Sequence, residues 1–233
     1  MELDFVPSMQ SLLEAGAHFG HQATRWNPKM KKYIFLKKDN VHIIDLKKTQ
    51  DNLTKACEFV RNLVKNNQTV LYVGTKKQAV QIVRQQAEKA EVPFIVNRWI
   101  GGLLTNNKIV SKNIQRLNSL ERDLKNQEFL AKYTKKEIAD FKDEYEELFS
   151  LYEGVKDMKK LPDAIFVIDA HHEKTVVAEA NKKNIPVIAL IDTNADPSLI
   201  DYPIPANDDS FKSIDIITNT ITQAVLNGRK LQK

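Results

Sequence analysis

The sequence has little cysteine and glycine, and each shortage excludes a class of protein. Its 233 residues include one cysteine, Cys57, so neither an internal disulfide nor a cysteine-based zinc cage can form. Seven glycines are present, and no GxGxxG or complete GxxxxGK[ST] phosphate loop occurs. No apolar run approaches the roughly 20 residues of a membrane span, and the N-terminus lacks the basic start of a secretory signal. We therefore expect a soluble, cytosolic protein.

Five short apolar segments alternate with helical segments, and this alternation predicts a parallel sheet. The strand candidates are residues 69–73, 94–96, 164–168, 187–191 and 202–204. The helix candidates are residues 77–90, 175–183 and 211–227, the last with Gly228 as its stop signal. Continuous Val/Ile/Leu strands separated by helices are typical of sheets buried on both faces. We predict an α/β fold with a flavodoxin-like, doubly wound sheet of about five strands.

Two further segments are added to this sheet. At the N-terminus, Ser8 predicts the cap of a short helix, and residues 33–36 and 41–44 predict a β-hairpin with a four-residue turn. Residues 105–160 show no strand pattern but heptad-like apolar spacing, which predicts an inserted antiparallel helical hairpin of coiled-coil type with its turn near 133–136. We expect residues 1–104 and 161–233 to form one discontinuous domain. The predicted seam of the hairpin is formed by Leu117, Leu124, Phe141, Leu148 and Tyr152.

Positive charge is concentrated in the first half of the chain. The net charge is +5, and residues 1–104 carry 16 lysines and arginines against nine acids. Cations also alternate with aromatic residues, and on the first long helix they recur every four residues, opposite the apolar seam. Cations bind phosphates while planar side chains stack on unpaired bases, so the set favours a structured RNA over a merely solvated surface. The predicted RNA-binding residues are Arg25, Trp26, Lys29, Lys31, Lys32, Lys37, Lys38, Lys76, Lys77, Arg98, Trp99, Asn106, Lys108, Lys112 and Arg116.

Acidic residues after the strands leave an enzyme open as the alternative. Asp169 and Asp192 each follow a strand, where α/β enzymes place ligands, and Gly74 to Lys77 form a strand-to-helix turn that resembles part of a phosphate loop. This alternative is a phosphate- or nucleotide-using enzyme with an acidic site at the strand ends. We expect Asp208 and Asp209 to cap the last helix. The same edge also predicts a structural Zn²⁺ or Mg²⁺ site, with no other cofactor required, formed by His21, Asp192, Asp208 and Asp209.

Blocks of sequence along nearly the whole chain resemble the bacterial small-subunit ribosomal protein of the S-two family. The opening block runs from Leu12 to His21 (LLEAGAHFGH) and continues with residues 25–30 (RWNPKM). Further blocks are residues 41–46 (VHIIDL), 98–106 (RWIGGLLTN), 161–169 (LPDAIFVID), 185–194 (IPVIALIDTN) and 204–209 (IPANDD). The blocks stand in the order of the family, and together they are specific.

The resemblance implies a non-catalytic structural component of the small (30S) ribosomal subunit, acting in translation in the cytoplasm. It implies binding to 16S rRNA near the head–body junction, and docking of the ribosomal protein of the S-one family among other ribosomal-protein partners. It implies neither a membrane nor a small-molecule substrate as partner.

Overall fold

The computed structural model describes residues 3–232. Its strands are β1 (Phe19–Gln22), β2 (Ile34–Lys38), β3 (Val41–Ile44), β4 (Val70–Val73), β5 (Phe94–Ile95), β6 (Ala164–Ile168), β7 (Val187–Ile191) and β8 (Tyr202–Pro205). Its α-helices are α1 (Met9–Glu14), α2 (Leu46–Lys65), α3 (Val80–Ala90), α4 (Asn107–Asp123), α5 (Gln127–Leu130), α6 (Lys135–Tyr152), α7 (Lys174–Lys182) and α8 (Phe211–Lys230). None of the described helices has the length and apolar character needed to span a membrane.

A five-stranded parallel sheet forms the centre of the molecule, in the order β5-β4-β6-β7-β8. Successive residues of a strand face opposite sides, so each strand contributes to two apolar layers. Tyr72 and Phe166 pack with α1, α2, α3 and α8 on one face, whereas Leu71 and Ile165 pack with α7 and the base of α4 and α6 on the other. The predicted flavodoxin-like α/β fold is confirmed, and the strand ends bring distant loops to one edge.

The N-terminal segment forms a three-stranded antiparallel sheet in the order β1-β3-β2, larger than the predicted hairpin. The turn has two residues rather than four, because Asp39 and Asn40 take positive φ angles of 48° and 61° and so fit a tight hairpin turn. Strand β1 was not predicted from the sequence. The backbone N–H of His21, at the centre of β1, donates to Asp192 Oδ1 at 3.0 Å, and the small sheet thereby lies at the carboxyl-terminal edge of the main sheet.

Helices α4 and α6 form the predicted antiparallel pair, with the short helix α5 in the connection between them. Asn113 bonds the Tyr152 hydroxyl near the base, and Arg116 pairs with Glu144 farther along. Helix α6 starts one residue after Thr134, whose side chain forms a reciprocal capping box with Glu137. The separability of residues 105–160 as a domain stays a prediction, because Leu117 and Tyr152 belong to the same apolar cluster as the sheet.

Two expectations about the last helix are wrong. Its cap is Ser210, whose hydroxyl accepts from Ser213 N, so Asp208 and Asp209 do not cap it. Gly228 lies inside α8 instead of ending it. A Cβ at Gly228 would approach Arg61 O to 2.7 Å, so this glycine allows close contact with α2.

Candidate nucleic-acid interface

The N-terminal segment presents most of its predicted cations to solvent. Arg25, Lys31, Lys37 and Lys38 are exposed and have no ion pair with any described residue. Exposed Lys32 lies 4.9 Å above the Tyr33 ring. Five positive charges on this segment are therefore available to bind an anionic partner.

Lys29 is held by the protein itself. Its Nζ lies 2.7 Å from Asp196 Oδ2 and 2.8 Å from Ser198 Oγ. The hydrogen bond from Lys29 lowers the pKa of Asp196 to about 2. Lys29 is 57% exposed, so this pair lies at the surface and ties the N-terminal segment to the turn after β7.

The two tryptophans are half-buried and fixed by neighbouring side chains. Trp26 packs edge-on against His42, with ring centroids 5.0 Å apart. Trp99 donates its indole N–H to Glu179 Oε1 at 3.1 Å. Neither ring is a fully open stacking surface, whereas the neighbouring Arg25 and Arg98 are exposed.

Glu179, a residue that sequence analysis missed, organises the loop between β5 and α4. Its carboxylate accepts bonds from Trp99, the Gly102, Leu104 and Thr105 amides and the Thr105 hydroxyl, at 2.8–3.3 Å. Burial alone would raise the pKa of Glu179, but these donors, the Gly102 N–H foremost, lower it. The loop that carries Arg98 and leads into α4 is therefore anchored on α7. The signal available in the sequence was an acid that shares a helix face with the apolar residues Val176 and Ala180, and the structure buries all three.

The predicted basic stripe on α4 is partly free and partly paired. Lys108 and Lys112 are exposed and have no ion pair with any described residue. The Arg116 guanidinium instead makes a two-point bond with Glu144 on α6. The expectation that all three cations face a partner freely is therefore corrected for Arg116. Asn106 precedes α4 and is exposed, but its side chain makes no capping bond.

Lys76 lies in an internal ion cluster rather than on the surface. Its Nζ lies 2.6 Å from Asp208 Oδ1, 2.6 Å from Asp209 Oδ1 and 3.2 Å from Asp169 Oδ2. Burial opposes its charge, but the three carboxylates, Asp208 foremost, raise the pKa of Lys76 above its usual range. The expectation that Lys76 and Lys77 both face solvent or RNA is wrong for Lys76, whereas Lys77 is exposed.

The turn that resembled a phosphate loop is occupied by a carboxylate of the chain. Both the backbone N–H and the hydroxyl of Thr75 donate to Glu173 Oε1, and His172 Nε2 lies 3.1 Å from the same hydroxyl. This turn lies between neighbouring strands β4 and β6, where flavodoxin-like folds bind ligands. The backbone N–H of Thr75, which could donate to a phosphate, is therefore already bonded to Glu173.

Three of the four predicted metal ligands, His21, Asp208 and Asp209, come together at this edge, and the fourth, Asp192, pairs with His21. His21 Nδ1 lies 3.0 Å from Asp192 Oδ2, and His21 Nε2 lies 3.8 Å from Asp209 Oδ2. One ligand atom each from His21, Asp208 and Asp209 lie within 4.8 Å of one another.

The cluster shifts the pKa values of two of its members. The hydrogen bond to Asp192 raises the pKa of His21 to about 9. Burial, together with Asp169 and Asp192, raises the pKa of Asp208 to about 7, and Lys76 acts in the opposite direction. Protonated His21 and Lys76 thus share a compact set of carboxylates.

Comparison with known proteins assigns the family. Residues 12–228 match the family model described as Ribosomal protein S2. Over 225 residues the chain is 47% identical to the small ribosomal subunit protein uS2 of Fusobacterium nucleatum subsp. nucleatum, covering 97% of this chain and 91% of that protein. The chain therefore belongs to the ribosomal protein S2 family of the small ribosomal subunit.

Proposed function

We propose that this ribosomal protein binds 16S rRNA near the head–body junction through one basic edge. The observation that carries the proposal is the convergence of exposed cations at the carboxyl-terminal edge of the sheet. Lys77 follows β4, Arg98 follows β5, and the N-terminal segment packs against the loop after β7. Exposed cations without partners bind the phosphate backbone and release counterions.

A structural role without catalysis is supported by the state of the ligand-binding crevice. Glu173 engages Thr75, and Lys76 joins Asp169 to Asp208, so internal bonds fill the place where a phosphate substrate would bind. Buried charges paired in this way hold loops together. The turn after β4, on which the enzyme alternative depended, is therefore already occupied by side chains of the protein.

The α4 stripe gives a direct test of RNA binding. The double variant Lys108→Gln/Lys112→Gln should bind 16S rRNA more weakly, and its plot of log affinity against log salt should be less steep by about 1 to 2. The matched control is Lys135→Gln/Lys136→Gln, which removes the same charge from α6. Equal affinity for the double variant and the wild type, at low and high salt, would exclude the stripe from the interface.

We further propose that an exposed apolar patch supports docking of the ribosomal protein of the S-one family. Phe19 is 50% and Phe211 is 59% exposed. Gly16 lies between Phe19 and Ser210, the neighbour of Phe211 in the chain. Exposed large apolar side chains that lie near one another favour contact with a partner protein. Phe19→Ala/Phe211→Ala should lower capture of the purified S-one protein, with Leu231→Ala as control, and undiminished capture would exclude the patch.

We also propose that a divalent ion binds His21, Asp192, Asp208 and Asp209 as a structural element. Asp208 Oδ2 is buried without a hydrogen-bond partner among the described residues, and the donor set of one imidazole and carboxylates suits Zn²⁺.

Lys76 competes for two of these carboxylates, so Lys76→Gln should raise the metal content and His21→Ala should abolish it. Elemental analysis after purification without chelators decides this, and no metal in either the wild type or Lys76→Gln would contradict it.

A further inference from the structure

Phe35 is the most exposed large apolar side chain in the part of the chain that the structure describes, with 70% of its surface accessible. It lies on β2, which is an edge strand because β3 is the central strand of the small sheet. An apolar ring on an open edge strand favours aggregation unless a partner covers it. Its exposure therefore points to a partner.

A bulge in β2 separates Phe35 from the paired residues around it. Ile34 pairs with Ile44 and Leu36 pairs with Ile43, so Phe35 is the extra residue with no counterpart in the ladder. Such bulges redirect a side chain while the strands on both sides remain paired. The ring is presented by a rigid hairpin, since residues 36–38 continue in register with residues 41–43.

The charge around Phe35 indicates what kind of partner this is. Residues 15–38 contain six lysines and arginines and no acid, and Asp39 at the turn is the one carboxylate in the hairpin. Lys37 and Lys38 are exposed and have no ion pair with any described residue. A planar apolar ring beside free cations matches a nucleotide, which offers a base face and a phosphate together.

We propose that Phe35 stacks on an unpaired base of the bound RNA, with Lys37 and Lys38 contacting the adjoining phosphates. The inference rests on the proposed RNA-binding function and adds a single-stranded contact to it. The half-buried tryptophans cannot present an equally open ring, whereas Phe35 exposes most of its surface. Stacking accepts any base, so this contact adds affinity for single-stranded RNA without reading a sequence.

The test measures how full-length Phe35→Ala, Phe35→Leu and Phe35→Tyr bind 16S rRNA at fixed salt. The Ala and Leu variants should bind about tenfold more weakly, whereas Tyr, which keeps a planar ring, should bind like the wild type. Leu13→Ala, which removes an exposed apolar side chain from α1, should bind unchanged. Because Phe35 is exposed, thermal unfolding of all four variants should match the wild type.

Salt dependence separates the ring from the lysines. Phe35→Ala should lower affinity without changing the slope of log affinity against log salt, while Lys37→Gln/Lys38→Gln should make that slope less steep. Wild-type affinity for Phe35→Ala overturns the inference, and so does wild-type affinity for Phe35→Leu, because a leucine has no planar ring to stack on a base. Both outcomes leave rRNA binding by the wild type intact, whereas failure of the wild type itself to bind overturns the proposed function.

Discussion

Among single residues, Glu179 is the one on which the loop between β5 and α4 depends. Its carboxylate accepts five hydrogen bonds from this loop, which lacks regular structure. The loop includes Arg98 and ends where α4 begins. Hydrogen bonds to a charged acceptor are stronger than neutral ones, and their donors lose their partner when the acceptor is removed. Glu179 is therefore a positioning residue for the basic edge rather than a contact.

Replacing Glu179 should loosen this loop and destabilise the fold. Glu179→Ala should lower the free energy of unfolding by roughly 2–4 kcal/mol, since several donors are left without an acceptor. Hydrogen exchange at Gly102, Leu104 and Thr105 should become faster. Glu88→Gln, at an exposed acid on α3, is the control and should change neither measurement. Unchanged exchange at these three amides would contradict the assignment.

His21 gives the protein a pH dependence with a definite sign. Its pKa is raised by Asp192 from 6.5 to about 9, so the protonated form is favoured in the folded state. The resulting stabilisation is complete below pH 6.5 and is lost as the pH rises through 9, on the order of 2–3 kcal/mol in metal-free protein. Denaturation at several pH values should show this fall. His21→Gln should flatten it and exposed His171→Gln should not; a wild-type curve that is level from pH 6.5 to 9 would refute the prediction.

At the scale of elements, the α4–α6 pair is buried most deeply at its base, where α4 begins and α6 ends against the sheet. Burial decreases towards the tip, where α5 connects the two helices. Leu117 and Tyr152 are almost fully buried, whereas Leu124, Phe141 and Leu148 are half-buried. The tip is closed by aromatic contacts, with the Tyr133 and Phe141 rings 5.1 Å apart. The predicted seam residues thus differ in burial, and the stability of the pair comes mainly from the base, where it joins the sheet.

This gradient predicts different costs for the same substitution. Leu117→Ala should destabilise the protein by about 2–5 kcal/mol, because the side chain is fully buried and leaves a cavity. Leu124→Ala, half-buried at the far end of α4, should cost clearly less. Urea unfolding measures both. Equal costs would show that the pair is packed uniformly along its length.

At the scale of the whole molecule, the parallel sheet gathers its functional groups at one edge. The loops after β4, β5, β6 and β7 all leave from the carboxyl-terminal side, and the small sheet packs against the loop after β7. The ion cluster centred on Lys76 joins the loops after β4 and β6 to the loop after β8. The inner part of the edge is thus held by paired charges, while unpaired cations remain on its outer part.

The distal half of the helical pair should be removable. Replacing residues 119–146 with a short Gly/Ser linker keeps Val110, Leu117 and Tyr152 over the sheet, so the remaining chain should fold and unfold cooperatively. The truncated protein should also retain binding by the basic edge, since Lys108 and Lys112 remain. A broad, non-cooperative thermal transition would show that the distal half is needed for folding.

Local sequence pattern is enough to predict the five parallel strands, the long helices, the antiparallel helical pair and the family. Runs of Val and Ile, heptad-like spacing and motif order are local properties, and burial on both faces follows from them. Helix ends and turns were less exact. The hairpin turn consists of Asp39 and Asn40 alone, rather than the four predicted residues, because both adopt positive φ. Strand β1 was missed because its sequence pattern is weak and its pairing with β3 stabilises it.

Which charges are free depends on contacts between distant parts of the chain. Lys76 and Lys77 are neighbours in sequence, yet the first is enclosed by Asp169, Asp208 and Asp209 while the second is exposed. Arg116 finds Glu144 on the facing helix. The physical reason is that an ion pair depends on which loops the sheet brings to the same edge, and residues about 90 to 130 positions apart meet there because parallel strands all end on one side.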